Sequence, residues 1–527
     1  MNKARCARLL ASFAFLLCSS LSAQSNFATL TGSVTDSTGA AVPKATLEAV
    51  NRATNFRYHA QSDDSGNYTV VNLLEGVYRL KATAAGFQEY VVDGIELASR
   101  EARRVDIKMQ LGQVSTVVEV SGGASLIETE MARVSDIKER VVLRALPMTL
   151  RRIHDMWAVQ PGAYNGRLGG SRNKQRDFAL DGVTLSSATG GQTTGVMTDR
   201  TEAFEEVRID VAGTTAEFAG LGQVAVTTRA GSNKLHGSAF EYYQTPRLIS
   251  RNPFSAAGTG SVEHIPGGAV GGPVYIPKLY NGRDRTFFFT SIETERLGSP
   301  GRTNRQLSVP LEAWRRGDFS ALLPATPVRD PFANNAPFAG NIIPATRLNP
   351  VAVKMQERYP LPNFGDQRVF AAQNYREIQL TDKHKNPTFT ARLDHRFSEK
   401  TLVFARLTEI YWTQDGRDGS GLDYYGWTTA YRSDRAVNAN LTHVFQPKLI
   451  AEIRWGYAFD ITPNRGNIMG LQDIRTLGLR GLADNLPDVP GSFAAGFTGL
   501  GLTGLSSTSI CDPCNFNRKQ HYQGHVS

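Results

Sequence analysis

The feature that most limits what this chain can fold into is a set of segments, each about ten residues long, in which apolar and polar residues alternate. Residues 448–459 place Leu449, Ala451, Ile453, Trp455, Tyr457 and Phe459 on one face and Ile450, Glu452, Arg454, Gly456 and Ala458 on the other. Residues 388–397 oppose Phe389, Ala391, Leu393 and Phe397 to Thr390, Arg392, Asp394 and Arg396. Residues 435–445 oppose Val437, Ala439, Leu441 and Phe445 to Asn438, Asn440 and Thr442. Successive strand side chains point to opposite faces, so each segment reads as a strand greasy on one side and wet on the other. A soluble antiparallel sheet meets that description with its apolar face on a core. A transmembrane barrel meets it with its apolar face on lipid and its polar face on the lumen. Beyond the leader, no run reaches the roughly 18 apolar residues of a spanning helix. A form embedded in lipid must then be a closed barrel, because backbone polar groups have to pair internally there.

The start of the chain favours the barrel. Lys3, Arg5 and Arg8 precede the apolar run LLASFAFLL at residues 9–17, and small residues follow, Ser19, Ser20, Ser22 and Ala23. That order predicts a secretory signal peptide over residues 1–23. Its removal takes three basic residues and leaves 55 Lys and Arg against 49 Asp and Glu, a balance of +6 instead of +9. The basic residues are interspersed with acids, which describes a mixed solvated surface and not a nucleic-acid patch. Of the four cysteines, Cys6 and Cys18 lie in the leader. Cys511 and Cys514 remain, as CDPC, with no second pair and no paired His to complete a zinc site. In an oxidising compartment the expected reading is a small loop disulfide.

Residues 27–111 form an all-β module. Short strands at 30–35, 45–51, 56–61, 68–72, 76–82 and 103–109 are separated by turns such as Asp36-Ser37-Thr38-Gly39 and Asp63-Asp64-Ser65-Gly66. That spacing predicts a sandwich, with Tyr68 and Tyr78 in its core. Residues 113–230 mix strands with one helix. The expected elements are a strand at 114–120, a helix at 135–146 with Ser135 as N-cap, a strand–Asp-Gly–strand hairpin at Phe178-Ala179-Leu180-Asp181-Gly182-Val183, and strands at 204–211 and 223–229. From residue 231 to 527 the strands lengthen and long links separate them. Aromatic pairs near expected strand ends, Tyr242 with Tyr243, Tyr411 with Trp412 and Trp455 with Tyr457, suit interfacial girdles.

Two resemblances follow from these residues. GSVTDSTGAAVPKATLEAV, SDDSGNYTV and LLEGVYRLKATAAGF are similar to the carboxypeptidase regulatory-like domain, a transthyretin-like sandwich. No carboxypeptidase zinc motif accompanies it, so the resemblance implies a scaffold or binding role. AEFAGLGQVAVTTRAGSNKLHGSAFEYYQ (residues 216–244), GGAVGGPVYIPKLYNGRDRTFFFTSIE (267–293), a loop at 329–363 and FALDGV resemble the Oar-like TonB-dependent outer-membrane transporters. The family implies a mainly β architecture: an Ig- or transthyretin-like β-sandwich, a mixed α/β plug domain and a transmembrane antiparallel β-barrel. In FALDGV, the plug motif residues are Phe178, Leu180, Asp181 and Gly182. The implied partners are outer-membrane lipid, a periplasmic TonB complex, and a substrate such as an oligosaccharide, a peptide or a metal chelate. No cofactor is implied. No short TonB-box segment is recognisable near the mature N-terminus. Family barrels have about 22 strands, whereas the residues after 234 suffice for eight to ten, so a C-terminally truncated copy is expected.

Signals for catalysis are weak. Gly499, Gly501 and Gly504 satisfy GxGxxG but lie in a glycine-rich stretch without strand–helix–strand context. His154-Asp155 lacks a nucleophile elbow. Glu205 and Glu206 are adjacent in a strand and so face opposite ways. The expected activity is energised import without covalent chemistry. The competing expectation is a secreted adhesion or carbohydrate-binding protein, which would fold its later strands into separate sandwiches.

Overall fold

The computed structural model describes residues 27–112, 117–121, 134–146, 151, 153, 156, 160–164, 167–169, 176–184, 200–212, 222–245, 247–248, 262–299, 302–370, 372–380, 383–416, 428–446, 449–462, 464–465, 476–478 and 517–526. The signal-peptide reading, Cys511 and Cys514, His154-Asp155 and the Gly499–Gly504 run lie outside the described residues.

The leading module contains β1 (Ala28–Thr35), β2 (Thr46–Asn51), β3 (Arg57–Gln61), β4 (Asn67–Leu73), β5 (Gly76–Thr83), β6 (Glu89–Leu97), β7 (Ala102–Arg104), β8 (Ile107–Lys108) and β9 (Val117–Ser121). One sheet has the order β4-β1-β7 with β8 also on β1, and the other the order β3-β2-β5-β6-β9. Tyr68 and Tyr78 are both buried between them, and each hydroxyl donates to a backbone carbonyl, Val105 O at 2.6 Å and Leu74 O at 2.7 Å. Asp36 and Asp63 close their turns by accepting backbone amides through Oδ1, ahead of Gly39 and Gly66 at positive φ. The sequence reading omits β6. Gly94 has φ 78 and the register shifts beside it, so buried residues fall at Val91, Val92, Ile95 and Leu97 and the period of two is broken. Strand β9, grouped by sequence with the unit that follows, pairs with β6 in parallel.

The middle unit contains β10 (Val134–Glu139), α1 (Arg140–Ala145), β11 (Ala163–Tyr164), β12 (Arg167–Leu168), β13 (Arg176–Leu180), β14 (Val183–Thr184), β15 (Phe204–Ala212) and β16 (Gly222–Thr228). Its main sheet runs β10-β15-β16-β13-β14. The helix expected at 135–146 is corrected. Residues 134–139 are a strand paired to β15, and the helix is one short element after it. Ser135 therefore caps nothing. Glu139 precedes the helix and makes no side-chain cap bond. Pairing with β15 overrides a weak helical preference at β-branched Val134 and Ile137. The helix does end before Pro147, with Leu146 extended as a residue preceding proline must be.

The last unit is one antiparallel meander. It contains β17 (His236–Gln244), β18 (Val262–Pro273), the small hairpin of β19 (Tyr275–Ile276) and β20 (Tyr280–Asn281), and β21 (Thr286–Ser299). A folded link follows. It holds β22 (Arg302–Leu307), β23 (Arg329–Asp330), β24 (Ala336–Pro337), α2 (Pro350–Glu357) and β25 (Tyr375–Leu380). Then come β26 (Lys383–Ser398), β27 (Thr401–Gly416), β28 (Thr428–Gln446), β29 (Leu449–Thr462), β30 (Asn464–Arg465) and β31 (Asn517–Val526). The sheet order is β17-β18-β21-β26-β27-β28-β29-β31, with β30 on β28. Among the described residues these strands make one sheet, not separate sandwiches.

Its faces are inverted relative to a soluble protein. Along β29, Leu449, Ile453 and Trp455 are exposed, while Glu452 and Arg454 are buried. Along β26, Phe389, Leu393 and Phe397 are exposed, while Thr390, Arg392, Asp394 and Arg396 are buried. Along β28, Leu441 and Phe445 are exposed, while Asn438, Asn440 and Thr442 are buried. On these stretches apolar side chains point outward and charged ones inward, as lipid outside and a plugged lumen inside require; β27 departs from this, with Glu409 paired to Arg435 on the outer face and Leu402, Phe404 and Ile410 turned inward. Tyr243 and Tyr411 face outward, but Tyr242 turns inward under Arg151, whose guanidinium carbon lies 3.8 Å from the ring centroid. No helix among the described residues is long and apolar enough to cross a membrane, which does not bear on strands.

Candidate functional site

The site is the contact between the middle unit and the inner wall of the sheet. The hairpin β13–β14 reaches that wall through its two-residue tip. Asp181 at φ 48 and Gly182 at φ 78 supply the two positive-φ positions of the tight turn that this sequence predicts. Behind the tip, Phe178 and Leu180 are fully buried in a core that also takes in Val224 and Val226 of β16 and reaches Ala436 and Ala458 of the wall.

Asp181 is the centre of the arrangement. Its two carboxylate oxygens accept the Thr228 amide at 2.9 Å and the Thr228 hydroxyl at 2.7 Å. From the wall, Arg392 Nη1 approaches to 3.7 Å and Arg406 Nε to 3.4 Å. Arg392 is held by more than this contact: it also donates to Thr228 O at 2.7 Å and to Asp394 at 2.8 Å. The Arg406 guanidinium is fully buried and forms no hydrogen bond among the described residues, and Asp181 is its one close counter-charge there. The tip backbone is also read by the wall. Asn438 Nδ2 donates to Leu180 O at 3.0 Å, and Arg454 Nη1 donates to Gly182 O at 3.4 Å. Gly456 lies directly opposite Val183, and a Cβ there would collide with the valine methyl. We expect Gly456→Leu to displace β14 at a cost of about 1–3 kcal/mol, measured as faster hydrogen exchange in β13 and β14 while the β28–β29 amides stay protected.

A second cluster joins the start of the sheet. Glu202 accepts Arg229 Nη1 at 2.8 Å, Arg144 Nε at 3.2 Å and the Ser238 hydroxyl at 2.9 Å, and its amide donates to Glu293 at 3.0 Å. Arg200 pairs with Glu295. A third set ties the sandwich to both other units. Ser99 N donates to both Glu206 oxygens at 3.1 Å, Arg208 donates to Ser99 O, and Arg100 donates to Gln223 at 3.3 Å. On the sheet side, Asn55 and Asn233 donate to Asp284 at 2.9 and 2.6 Å, and Arg396 stacks over Phe56 and Tyr58.

Glu205 is part-exposed and Glu206 buried, yet both line one cleft, because Glu205 is the extra residue of a register shift against β16. Burial, then the neighbouring Glu75, push the Glu206 carboxyl up to about 8, against the Ser99 amide and Arg208 that favour its charge; Glu205 pushes the same way as Glu75. A carboxyl raised above its ordinary 4.5 stabilises the docked state fully below that value and loses the contribution as pH rises through about 8. Raising pH from 6 to 9 should therefore loosen the Ser99 turn. Hydrogen exchange at Ser99, corrected for the intrinsic pH dependence of exchange, reads this, and Glu206→Gln should flatten the profile.

These contacts are electrostatic and carry no reacting centre. A buried ion pair adds little beyond what hydrated charges already have, yet removing one partner is severe. Separation of the two surfaces would hydrate these charges and expose only the small apolar contact of the tip with Ala436 and Ala458. Among the described residues, no group of three or more His, Cys, Asp or Glu could hold a metal ion. The sequence motif located Asp181 and Gly182. It could not locate Arg392, Arg406, Asn438 or Arg454, whose only signal was polarity on the inner face of alternating strands.

Comparison with known proteins places this geometry in a family. Residues 227–526 match the outer membrane beta barrel domain family, and residues 29–110 match the carboxypeptidase regulatory-like domain. The first match covers more than half of the chain, and the chain belongs to the outer membrane beta barrel domain family. The TonB-dependent transporter Oar of Myxococcus xanthus is 23% identical over 241 residues, which are 42% of this chain and 22% of that relative. The chain thus spans well under two thirds of that relative's length. Among solved structures, the outer membrane transporter YddB from Escherichia coli is 11% identical over 63% of this chain and 39% of its own, with a TM-score of 0.37. FpvA of P. aeruginosa bound to heterologous pyoverdines is 12% identical over 64% of this chain and 43% of its own, with a TM-score of 0.31. The two family matches and the Oar relative bear out the likeness to Oar-like TonB-dependent transporters with a leading regulatory-like module.

Proposed function

We propose that this chain acts in the outer membrane as a TonB-dependent receptor and transporter, with the middle unit as its plug. In this reading a signal peptide exports the chain, the long links capture a substrate at the cell surface, and plug movement admits it. The substrate would be an oligosaccharide, a peptide or a metal chelate. The chain performs no covalent chemistry, and a periplasmic TonB complex supplies the force. The observation that supports this most is the inverted sheet, apolar outward and charged inward onto a unit fastened by ion pairs. The docked plug is one packing of a two-state element, and ligand or force shifts its population by binding the other state better.

The connections suggest an orientation. Consecutive strands of the meander are joined at one end by residues 274–285, 399–400 and 447–448, and at the other by the mostly longer links 245–261, 300–382, 417–427 and 463–516. Outer-membrane barrels put short turns in the periplasm and long loops outside. The sandwich packs at the short-turn end, where Arg396 donates to Arg57 O and Phe56 lies 5.6 Å from Phe287. It would then hang in the periplasm.

Fractionation with protease treatment of intact cells tests this. We expect the chain in the outer-membrane fraction, with the sandwich protected and the link around residues 320–345 cut from outside. Recovery in the soluble periplasm, or cleavage of the sandwich in intact cells, would contradict it and favour a secreted binding protein.

A further inference from the structure

Between β18 and β21 the chain makes the small hairpin of β19 and β20, and the sheet register shows on which side of the wall it lies. Thr286 pairs with His395, Phe288 with Leu393 and Ile292 with Phe389. Ile292, Phe389 and Leu393 are exposed on the outer face, and alternation puts Thr286 and His395 in the same outward rows. Thr286 is nevertheless buried, because the hairpin covers it. The Tyr280 hydroxyl meets Thr286 Oγ1, which in turn bonds His395 Nδ1 at 2.6 Å. Phe287, on the inward row, packs instead against Phe56 of the sandwich, 5.6 Å between ring centres. Hairpin and sandwich therefore sit on opposite sides of the wall, and the sandwich does not cover the hairpin.

The hairpin is firmly built. Val274 N donates to Thr286 O at 2.9 Å, Gly282 N to Val274 O at 2.9 Å and Thr286 N to Gly282 O at 2.7 Å. A side chain at Gly282 would strike Val274 O and the Tyr280 ring, so the chain folds back onto the wall only with glycine there. On this frame Tyr275, Ile276 and Leu279 are held exposed, Leu279 at 79%. An apolar patch held in place at the surface marks an interaction site. The tip is the turn Ile276-Pro277-Lys278-Leu279, closed by Leu279 N to Ile276 O at 3.0 Å, with Lys278 at φ 63. Glycine or asparagine suits that backbone best; lysine instead sets a long cation at the tip. Residues 274–285 hold three basic residues, Lys278, Arg283 and Arg285, all exposed, and one acid, Asp284. Asp284 is taken up by Asn55 and Asn233 at 2.9 and 2.6 Å.

We propose that this hairpin is a lipid anchor, in which Tyr275, Ile276 and Leu279 enter the interface of the leaflet on the sandwich side and Lys278, Arg283 and Arg285 bind the phosphates of anionic phospholipid. The patch continues into the outward rows of the sheet, so the surface that meets it is the one that meets those rows. It also combines aromatic, aliphatic and basic residues, as the boundary between hydrocarbon and headgroups favours. A tyrosine ring lies at that level with its hydroxyl wet, and long cations reach phosphate from there. The anchor would fix how deep the sheet sits. The proposal rests on the reading that the outer face of the sheet meets lipid.

The test uses the purified full chain, with Cys511→Ser/Cys514→Ser, reconstituted in vesicles of phosphatidylcholine and phosphatidylglycerol in equal parts. A bimane label is placed at Leu279→Cys or, in a second sample, at Ile453→Cys. One lipid or the other carries bromine on its acyl chains as the quencher. At 279, brominated phosphatidylglycerol should quench at least about twofold more than brominated phosphatidylcholine, because three cations gather the anionic lipid. Lys278→Gln/Arg283→Gln/Arg285→Gln should make the two lipids equal at 279 and leave quenching at 453 unchanged. Quenching at 453 but not at 279 would overturn the anchor and leave the membrane reading standing. Equal quenching by the two lipids before substitution, or a preference that survives the triple variant, would also overturn it. Quenching at 279 but not at 453 would keep lipid binding by the hairpin and remove the spanning sheet, and quenching at neither site would overturn both.

Discussion

Replacing Asp181 by Asn should release the middle unit from the wall, weakening its docking by about 3–5 kcal/mol. Asn keeps the shape of the side chain and tolerates the left-handed backbone at φ 48, so the turn itself is unharmed. What changes is charge. Arg392 keeps Asp394, but Arg406 loses its close counter-charge while remaining wholly buried. The loss should appear as protease cleavage within residues 134–228 under conditions that leave the barrel strands intact. Asp181→Asn/Arg406→Met should recover most of the docking, because an apolar side chain of similar length removes the stranded charge. Were the double variant as loose as the single, the hairpin shape and not the ion pair would be holding the plug.

Placing arginine at Ile453 should block assembly into the membrane. Ile453 is 48% exposed on the outer face of β29, and its cross-strand neighbour Leu441 is exposed beside it. In a soluble protein a half-exposed position tolerates such a change within about 0.5 kcal/mol. Facing lipid near mid-strand, it costs about 2–4 kcal/mol. At about 1.4 kcal/mol per decade, that is a fall of roughly 30- to 1000-fold in the ratio of inserted to uninserted chain. Heat-modifiable mobility of outer-membrane samples reads it, with Ile453→Leu as the control that should insert normally.

Much of the architecture was legible because strand alternation depends on residues only two apart. The outward row Leu449, Ile453 and Trp455 and the inward row Glu452 and Arg454 can be read directly from the chain. The tight turn at Asp181-Gly182 was legible because two positive-φ residues in succession leave few alternatives. Strand β6 was hidden because one bulge at Gly94 shifts the buried positions by one. Strand β10 was misread because a six-residue edge takes its conformation from β15, not from itself. The partners of Asp181 were out of reach for a simpler reason. Arg392 and Arg406 come to it from strands far along the chain, and no local pattern states which inward arginine faces which tip.

Whether the outer face of β29 meets lipid is read by a cysteine scan of residues 449–459 in outer membranes, each site carrying a spin label whose collisions with oxygen and with a water-soluble nickel complex are compared. A period of two is expected: oxygen-accessible labels at 449, 451, 453, 455 and 457, and labels shielded from oxygen at 452, 454, 456 and 458. Nickel access at the odd positions, or no alternation, would contradict it.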